Sequence, residues 1–300
     1  MPSSLEVILV PTAMILVGFF LKRLSILKSS DSTLLSKIVL NISLPALIFV
    51  NLSKAKVSFD MLMLPFLALV LSSILICIAY AFCRIRGYNR KTTWTIILAT
   101  SMMNTGFIGF PVSLGVFGND GFLHAIFFDL STTILFIVYG MILVKEFGGS
   151  RNEVLKQSLK FIPLWAVVFA VIFNIFNIPI FNLAANVLDY FANSTIPLIM
   201  LSLGLTIDFN AIGRSIGDSF FVSFVKLVIS PCIIFIILSI LNIRGMTFNI
   251  AILEAGMSTA MNALVLAITY NLDTKLMSSM IFTNVILSLF TLTGIISILT

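Results

Sequence analysis

The stretch NISLPALIF, Asn41 to Phe49, sets an asparagine, a serine and a proline inside a run otherwise apolar enough to cross a membrane, and NSTIPLIML, Asn193 to Leu201, does so again 152 positions later. Proline has no amide hydrogen, so Pro45 releases the carbonyl of Asn41 from its normal partner four residues ahead. In lipid that carbonyl needs another donor. The Asn41 amide, the Ser43 hydroxyl, a neighbouring helix or water must supply it, so the motif predicts a kinked helix facing protein or a wet cavity. Asn193, Thr195 and Pro197 repeat the pattern, which makes Pro45 and Pro197 predicted helix breaks and Asn41, Ser43, Asn193 and Thr195 candidate substrate-binding residues. The same displacement carries Pro11 onto Pro163, and a displacement of 158 carries Met103-Asn104 onto Met261-Asn262, with a small insertion between the anchors.

Around these motifs the composition is that of a membrane protein. Of 300 residues 59% are hydrophobic and 10% charged, with a mean hydropathy of +1.15, far from a soluble globular domain. Apolar runs of spanning length fall at 5–21, 33–51, 61–83, 93–115, 122–144, 159–177, 184–205, 219–241, 247–269 and 277–299. They are too long and too continuously apolar for barrel strands, so the expected fold is all-α with ten transmembrane helices. The first is expected to stay as a helix, because no basic residue precedes it and Leu21-Lys22-Arg23 stands where a small-residue cleavage site belongs.

Basic residues orient the chain when counted by link. Fourteen lie in the odd-numbered links: Lys22, Arg23, Lys28 and Lys37; Arg84, Arg86, Arg90 and Lys91; Lys145, Arg151, Lys156 and Lys160; Arg214; and Lys275. Three lie in the even ones, Lys54, Lys56 and Arg244. Both termini are therefore expected outside and the odd-numbered links in the cytoplasm. The net charge of +6 reflects topology rather than affinity for nucleic acid, for which no solvated basic face exists. Cys77, Cys83 and Cys232 form no CxxC pair and indicate neither redox compartment nor metal.

The shared displacements divide the chain into a first five-helix repeat, 1–147, a cytoplasmic link, 148–158, and a second repeat, 159–300. Five is odd, so the second copy enters from the opposite side, and the repeats are inverted. Such halves can exchange conformations of nearly equal energy, opening first to one side and then to the other, with the substrate near the midplane where helices are interrupted.

The fourth segment, SMMNTGFIGFPVSLGVFG from Ser101 to Gly118, gathers Asn104, Thr105, Gly106, Gly109 and Pro111, and predicts an unwound stretch with Gly109 at the break. Its counterpart in the ninth, ILEAGMSTAMNALVLA from Ile252 to Ala267, holds Glu254, Gly256, Ser258, Thr259 and Asn262. A charge near the bilayer centre costs roughly 2.5–3.5 kcal/mol, so Glu254 should be protonated, paired or holding a cation. Lys226 in the eighth segment either attracts an anionic substrate, replaces a cation, or snorkels to the interface. His124 and Asp129 fall near the outer end of the fifth segment, and the lone histidine reads as an interface residue rather than a proton relay. The sequons at Asn41 and Asn193 are buried in apolar runs, which argues against glycosylation.

NISLPALIF, NTGFIGFP and STAMNALVLA resemble the recurrent motifs of the auxin efflux carrier family, which includes plant auxin exporters and prokaryotic organic-acid permeases for substrates such as malate. The resemblance covers all ten segments and implies a ten-helix fold shared with the bile acid:sodium symporters. Helices 1, 2, 6 and 7 then form a scaffold, commonly a homodimer, and helices 3–5 and 8–10 a transport unit in which broken helices 4 and 9 cross. It also implies that Asn104, Gly106 and Pro111, with Ser258, Thr259 and Asn262, line that crossover and that NISLP faces it. The family usually has proline where this chain has Ser258, so the break in helix 9 falls to a softer bend or to Gly256. Glu254-Ala255-Gly256-Met257 is similar to the acidic turn with which bile acid:sodium symporters hold sodium, so Glu254, with Asn104, is a candidate ion-coupling site for Na+ or H+. The short link from Lys145 to Lys160 resembles the prokaryotic members.

The expected function is secondary active transport of a small organic anion, a carboxylate of auxin or malate type, by alternating access coupled to protons or sodium. The alternatives are an uncoupled anion channel or uniporter and a sodium-coupled bile-acid-like symporter. No cofactor is expected beyond the coupling ion, and the partners are the anion and the bilayer. No P-loop supports nucleotide hydrolysis, whereas one charge crossing 100 mV yields about 2.3 kcal/mol. An intramembrane protease would need paired aspartates, or a serine and histidine in facing segments, and neither pattern is present.

Overall fold

The structure, a computed structural model, describes residues 4–207 and 216–300; Arg214, counted above for orientation, lies outside the described residues. In chain order the helices are α1 Ser4–Arg23, α2 Asp31–Ile38, α3 Leu44–Leu52, α4 Met63–Arg86, α5 Arg90–Ser101, α6 Phe110–Phe147, α7 Arg151–Leu159, α8 Ile162–Ile175, α9 Asn182–Thr206, α10 Ile216–Phe224, α11 Ser230–Ile240, α12 Met246–Ala255, α13 Met261–Thr269 and α14 Thr274–Leu299. No strand occurs among the described residues; one isolated antiparallel bridge joins Met103 to Thr259.

Among the described residues six stretches are long and apolar enough to cross a membrane: Asp31–Leu52, Phe59–Arg86, Thr105–Phe147, Asn182–Thr206, Ile216–Ile240 and Thr274–Leu299. Helices α7 and α8, bent by 52° at their junction, make a seventh if they form one span. The difference from ten expected segments has identifiable causes. The predicted fourth and fifth segments meet in Thr105–Phe147, 43 residues of helix that bend at Gly118, whose φ of 64° and ψ of −158° only glycine adopts readily. Helices α5, α12 and α13, of 12, 10 and 9 residues, are too short alone because the chain unwinds beside them.

Prolines govern the local geometry. Among the described residues three π-helical turns, Val39–Ser43, Thr105–Gly109 and Val225–Ile229, run into α3, α6 and α11. Each is followed two residues later by a proline, Pro45, Pro111 or Pro231. The residue just before the proline donates five residues back: Leu44 N to the Val39 carbonyl, Phe110 N to Thr105, Ser230 N to Val225. One extra residue in the turn relieves the clash an α-helical proline would create. Pro45 therefore produces a π turn inside a continuous span, not the expected break. Pro197 does not break its helix either. It lies within α9, which continues to Thr206, because losing a single backbone hydrogen bond is tolerable when the rest of the span is intact.

The chain forms two compact units. The first comprises Met1–Ser58 and Leu155–Ile207. Within it, Gly18 on α1 and Gly204 on α9 let two backbones touch: a Cβ on Gly18 would sit 3.0 Å from the Gly204 Cα, and one on Gly204 would run into the Ile15 carbonyl. Small residues drive helix packing in lipid because close backbone approach replaces the missing hydrophobic force. Hydroxyls reinforce it, with Ser36 Oγ 2.9 Å from Ser202 Oγ and Ser202 Oγ donating to the Ser32 carbonyl at 2.9 Å. Asn174 Nδ2 spans the Leu52, Ser53 and Ala55 carbonyls at 3.0, 3.2 and 2.7 Å, answering acceptors orphaned where α3 ends.

The second unit comprises Phe59–Val154 and Asp208–Thr300. Its core runs through Ala79, Ile96, Leu98, Leu143, Ala263 and Met280, all buried. At one end Tyr88 donates to Asp218 Oδ1 at 2.6 Å and Arg90 pairs with Glu146 at 2.5 Å. At the other, Thr247 Oγ1 donates to Asp60 Oδ2 at 2.5 Å beside the His124 ring. The two broken helices cross within this unit.

Candidate functional site

Helix α5 stops at Ser101 and the chain is extended through Met102 and Met103 to Asn104 before the π turn begins. Helix α12 stops at Ala255 and is extended from Met257 to Ala260 before α13. The two extended strips run antiparallel: Asn104 N donates to the Ser258 carbonyl at 2.9 Å and Ala260 N to the Met102 carbonyl at 3.0 Å. Four helix ends thus converge, two carrying partial negative charge and two partial positive.

The carbonyl ends are closed. At the end of α5, Met102 N takes the Leu98 carbonyl, Thr259 Oγ1 that of Ala99 at 2.7 Å, Lys226 Nζ that of Thr100 at 3.3 Å, and Ser72 Oγ that of Ser101 at 3.2 Å. At the end of α12, Gly256 N reaches Ile252 and Leu253, Met257 N the Glu254 carbonyl, and Ser230 Oγ that of Ala255 at 2.7 Å. In hydrocarbon each unmatched carbonyl would cost several kcal/mol, so this closure is what lets the helices break in mid-span.

The amide ends are open. Asn104, at the N-cap of the π turn, and Ala260, at the N-cap of α13, provide no side-chain cap. The Asn104 Nδ2 and the Ser258 Oγ are buried without a hydrogen-bond partner, and a Cβ built on Gly106 would meet nothing within 4 Å. Uncapped amides, an idle carboxamide donor and free space suit an anion.

Against the same turn lies an acid. Glu254 is fully buried; its Oε1 accepts from Ser113 Oγ at 2.8 Å and its Oε2 has no partner. Gly109 makes the room, since any side chain there would run into the Glu254 carboxyl group. A second acid, Asp129, accepts from Thr105 Oγ1, which also lies 3.4 Å from Thr132 Oγ1. No group of three or more His, Cys, Asp or Glu able to hold a metal occurs among the described residues.

The structure therefore brings together Asn104, Thr105, Gly106, Gly109, Glu254, Ser258 and Thr259, with Pro111 and Asn262 in the first turns of α6 and α13. Several details differ from expectation. The fourth-segment break falls at Met102–Asn104, not at Gly109, because the glycines and Pro111 shape a π turn instead. Gly256, by contrast, stands where a break was expected, capping the end of α12 with φ −85° and ψ 5°. Backbone pairing at the crossing joins Met103 to Thr259. Lys226 does not snorkel: it is fully buried on the Thr100 carbonyl.

Asn41, Ser43, Asn193 and Thr195 belong to the first unit. There Ser43 Oγ meets Ser194 Oγ at 2.9 Å, Asn41 and Asn193 are exposed, Asn41 Nδ2 donates to the Lys37 carbonyl at 2.6 Å, and Thr195 Oγ1 is buried without a partner. Sequence reasoning missed Ser72, Ser113 and Ser230, and the contact that brings Asp129 to the break. Serines at helical spacing carry no signal of which carbonyl they will cap, and Asp129 meets Thr105 across 24 positions of sequence, a separation that no local pattern encodes.

Comparison with known proteins identifies relatives over nearly the whole chain. A family model described as membrane transport protein matches residues 4–296. A Methanothermobacter thermautotrophicus protein named an uncharacterized transporter is 39% identical over 292 residues, covering 97% of this chain and 96% of that one. A second from Methanocaldococcus jannaschii, likewise named an uncharacterized transporter, is 34% identical over 297 residues, 95% of each chain.

Proposed function

We propose a mechanism from the premise that the chain belongs to the membrane transport protein family, that of the auxin efflux carriers, and is an integral membrane transporter. It is a secondary carrier of a small organic anion, working by alternating access and coupled to protons or sodium. The observation that carries this reading is the pair of uncapped amide ends at the crossing, with the unpartnered Asn104 Nδ2 and Ser258 Oγ beside them. A carboxylate there would receive the Asn104 amide and backbone N–H groups of the π turn, and would gain from both positive helix ends. The finer architecture goes with it: ten crossings in two inverted five-helix repeats, 1–147 and 159–300, with the unit of helices 3–5 and 8–10 carrying the site and helices 1, 2, 6 and 7 forming the scaffold of a homodimer in a prokaryotic inner membrane.

Coupling is assigned to Glu254. A buried carboxylate whose Oε2 has no partner is stable only with a proton or a cation on it. Binding either one beside the anion site makes the loaded unit less charged and easier to move through the low-dielectric interior.

The test is flux into liposomes containing the purified chain. Saturable uptake of a carboxylate, with counterflow accelerated by the same acid on the far side, is expected; flux that rises linearly without counterflow makes the chain a channel and sinks the carrier. In the same assay Glu254→Gln should transport without response to pH or sodium. Dependence equal to that of the wild type would remove Glu254 from coupling.

A further inference from the structure

The two carbonyl ends at the crossing differ in one respect. The end of α12 carries an acid, Glu254, and the end of α5 faces a base, Lys226. A negative helix end disfavours a carboxylate and favours a cation, so the two ends would be electrostatically alike only if a cation sat at each. At α5 the chain supplies one itself. Lys226 is fully buried, its Nζ lies 3.3 Å from the Thr100 carbonyl, and the described ion pairs do not include it. Among the described residues the amine's hydrogen bond goes to that helix-end carbonyl. The neighbouring acceptors are already taken, by Thr259 Oγ1 on Ala99, Ser72 Oγ on Ser101 and Ala260 N on Met102. Lys226 therefore completes a set with a single remaining opening for a positive charge. The π turn Val225–Ile229, forced by Pro231, fixes its position on the helix.

We propose that Lys226 is a resident cation, standing at the end of α5 where a small monovalent cation would otherwise bind, so that each loaded unit carries one exchangeable positive charge, at Glu254, and not two. The inference rests on the carrier reading for its link to transport. Its structural half, an amine acting as the cation of a helix-end site, stands independently and is tested without flux.

The experiment is thermal unfolding of the purified full-length chain in detergent, in N-methylglucamine buffer and with added sodium, ammonium or methylammonium. Wild type and Lys226→Arg should unfold at similar temperatures and gain nothing from methylammonium. Lys226→Ala leaves the α5 carbonyl end facing a vacated pocket; its Tm should fall by about 5 °C or more and recover most of that loss as ammonium or methylammonium fills the space. Lys226→Gln keeps a hydrogen-bond donor of similar reach without charge, and should stay as low as Lys226→Ala in N-methylglucamine. If Lys226→Gln or Lys226→Met matches the wild type, the amine is a hydrogen-bond donor or a filler and the proposal is overturned. Failure of both small cations to raise the Tm of Lys226→Ala overturns it as well. Should Lys226→Ala not fold, purification in methylammonium is the recovery arm, and the Gln and Met comparisons still decide. Wild-type liposomes that move no carboxylate would defeat the carrier reading while leaving these melting curves interpretable.

Discussion

At the scale of single residues, Gly109 and Glu254 form one unit of design. Gly109 has ordinary helical angles, φ −60° and ψ −50°, so alanine suits its backbone; space alone forbids it, because the Glu254 carboxyl fills the volume a methyl would take. Gly109→Ala should therefore destabilise by about 1–3 kcal/mol, the usual cost of overpacking. Adding Glu254→Ala should return most of that, since the removed carboxyl vacates the room the methyl needs. Urea unfolding of the two single variants and the double gives the coupling energy directly. Additive losses would mean that the glycine and the acid do not share this space. Thr105 links Asp129 to the π turn at the break, so Thr105→Val should alter transport without touching Asn104, the candidate anion donor. Unchanged flux kinetics in Thr105→Val would place Asp129 outside the mechanism.

At the scale of elements, the three π turns show how a proline can act on residues that precede it. In each case the residue before the proline bonds five back rather than four, and one inserted residue rotates everything upstream by about 100° relative to a regular helix. Pro231→Ala removes the reason for the turn at Val225–Ile229. That stretch should then relax toward α-helix and swing the Lys226 amine away from the Thr100 carbonyl. The expected signature is a Tm loss resembling that of Lys226→Gln, with little further loss when the two substitutions are combined. Fully additive losses would show that the turn and the amine are independent. The same comparison shows what was legible in the sequence. Both broken helices, and the polar groups in them, could be read from Asn104, Gly106, Glu254 and Gly256, because polar and glycine residues in an apolar run have few other uses. The place of the first break could not, since Gly109 and Pro111 are compatible with either an unwound stretch or a π turn. What decides between them is which carbonyls find donors on other helices, Ser72 and Lys226 among them, and no local pattern encodes that.

At the scale of the whole molecule, the number and direction of crossings follow from lengths and charge. Helix α4, with 24 residues, is about 36 Å long at 1.5 Å per residue, one passage through a hydrocarbon core of about 30 Å. Thr105–Phe147, with 43 residues, would be about 65 Å if straight, more than two such thicknesses, and it bends at Gly118. Basic residues are dense beyond the second end of α4, at Arg84, Arg86, Arg90 and Lys91, and again around the end of α6, at Lys145 and Arg151. Lys54 and Lys56 stand alone before the first end of α4. If each bent or broken helix still completes its passage, the two dense clusters share the cytoplasmic face and Lys54 and Lys56 lie on the opposite one. Single cysteines placed in a background lacking Cys77, Cys83 and Cys232 read this out. Lys56→Cys should react with a membrane-impermeant maleimide in intact cells, while Lys91→Cys and Arg151→Cys should react only after the membrane is opened. Labelling of Lys56→Cys and Arg151→Cys from the same side would mean an even number of passages between them, not the expected three. The inverted duplication, and the alternating access drawn from it, would then lose their geometric basis even with the crossing of α5 and α12 intact.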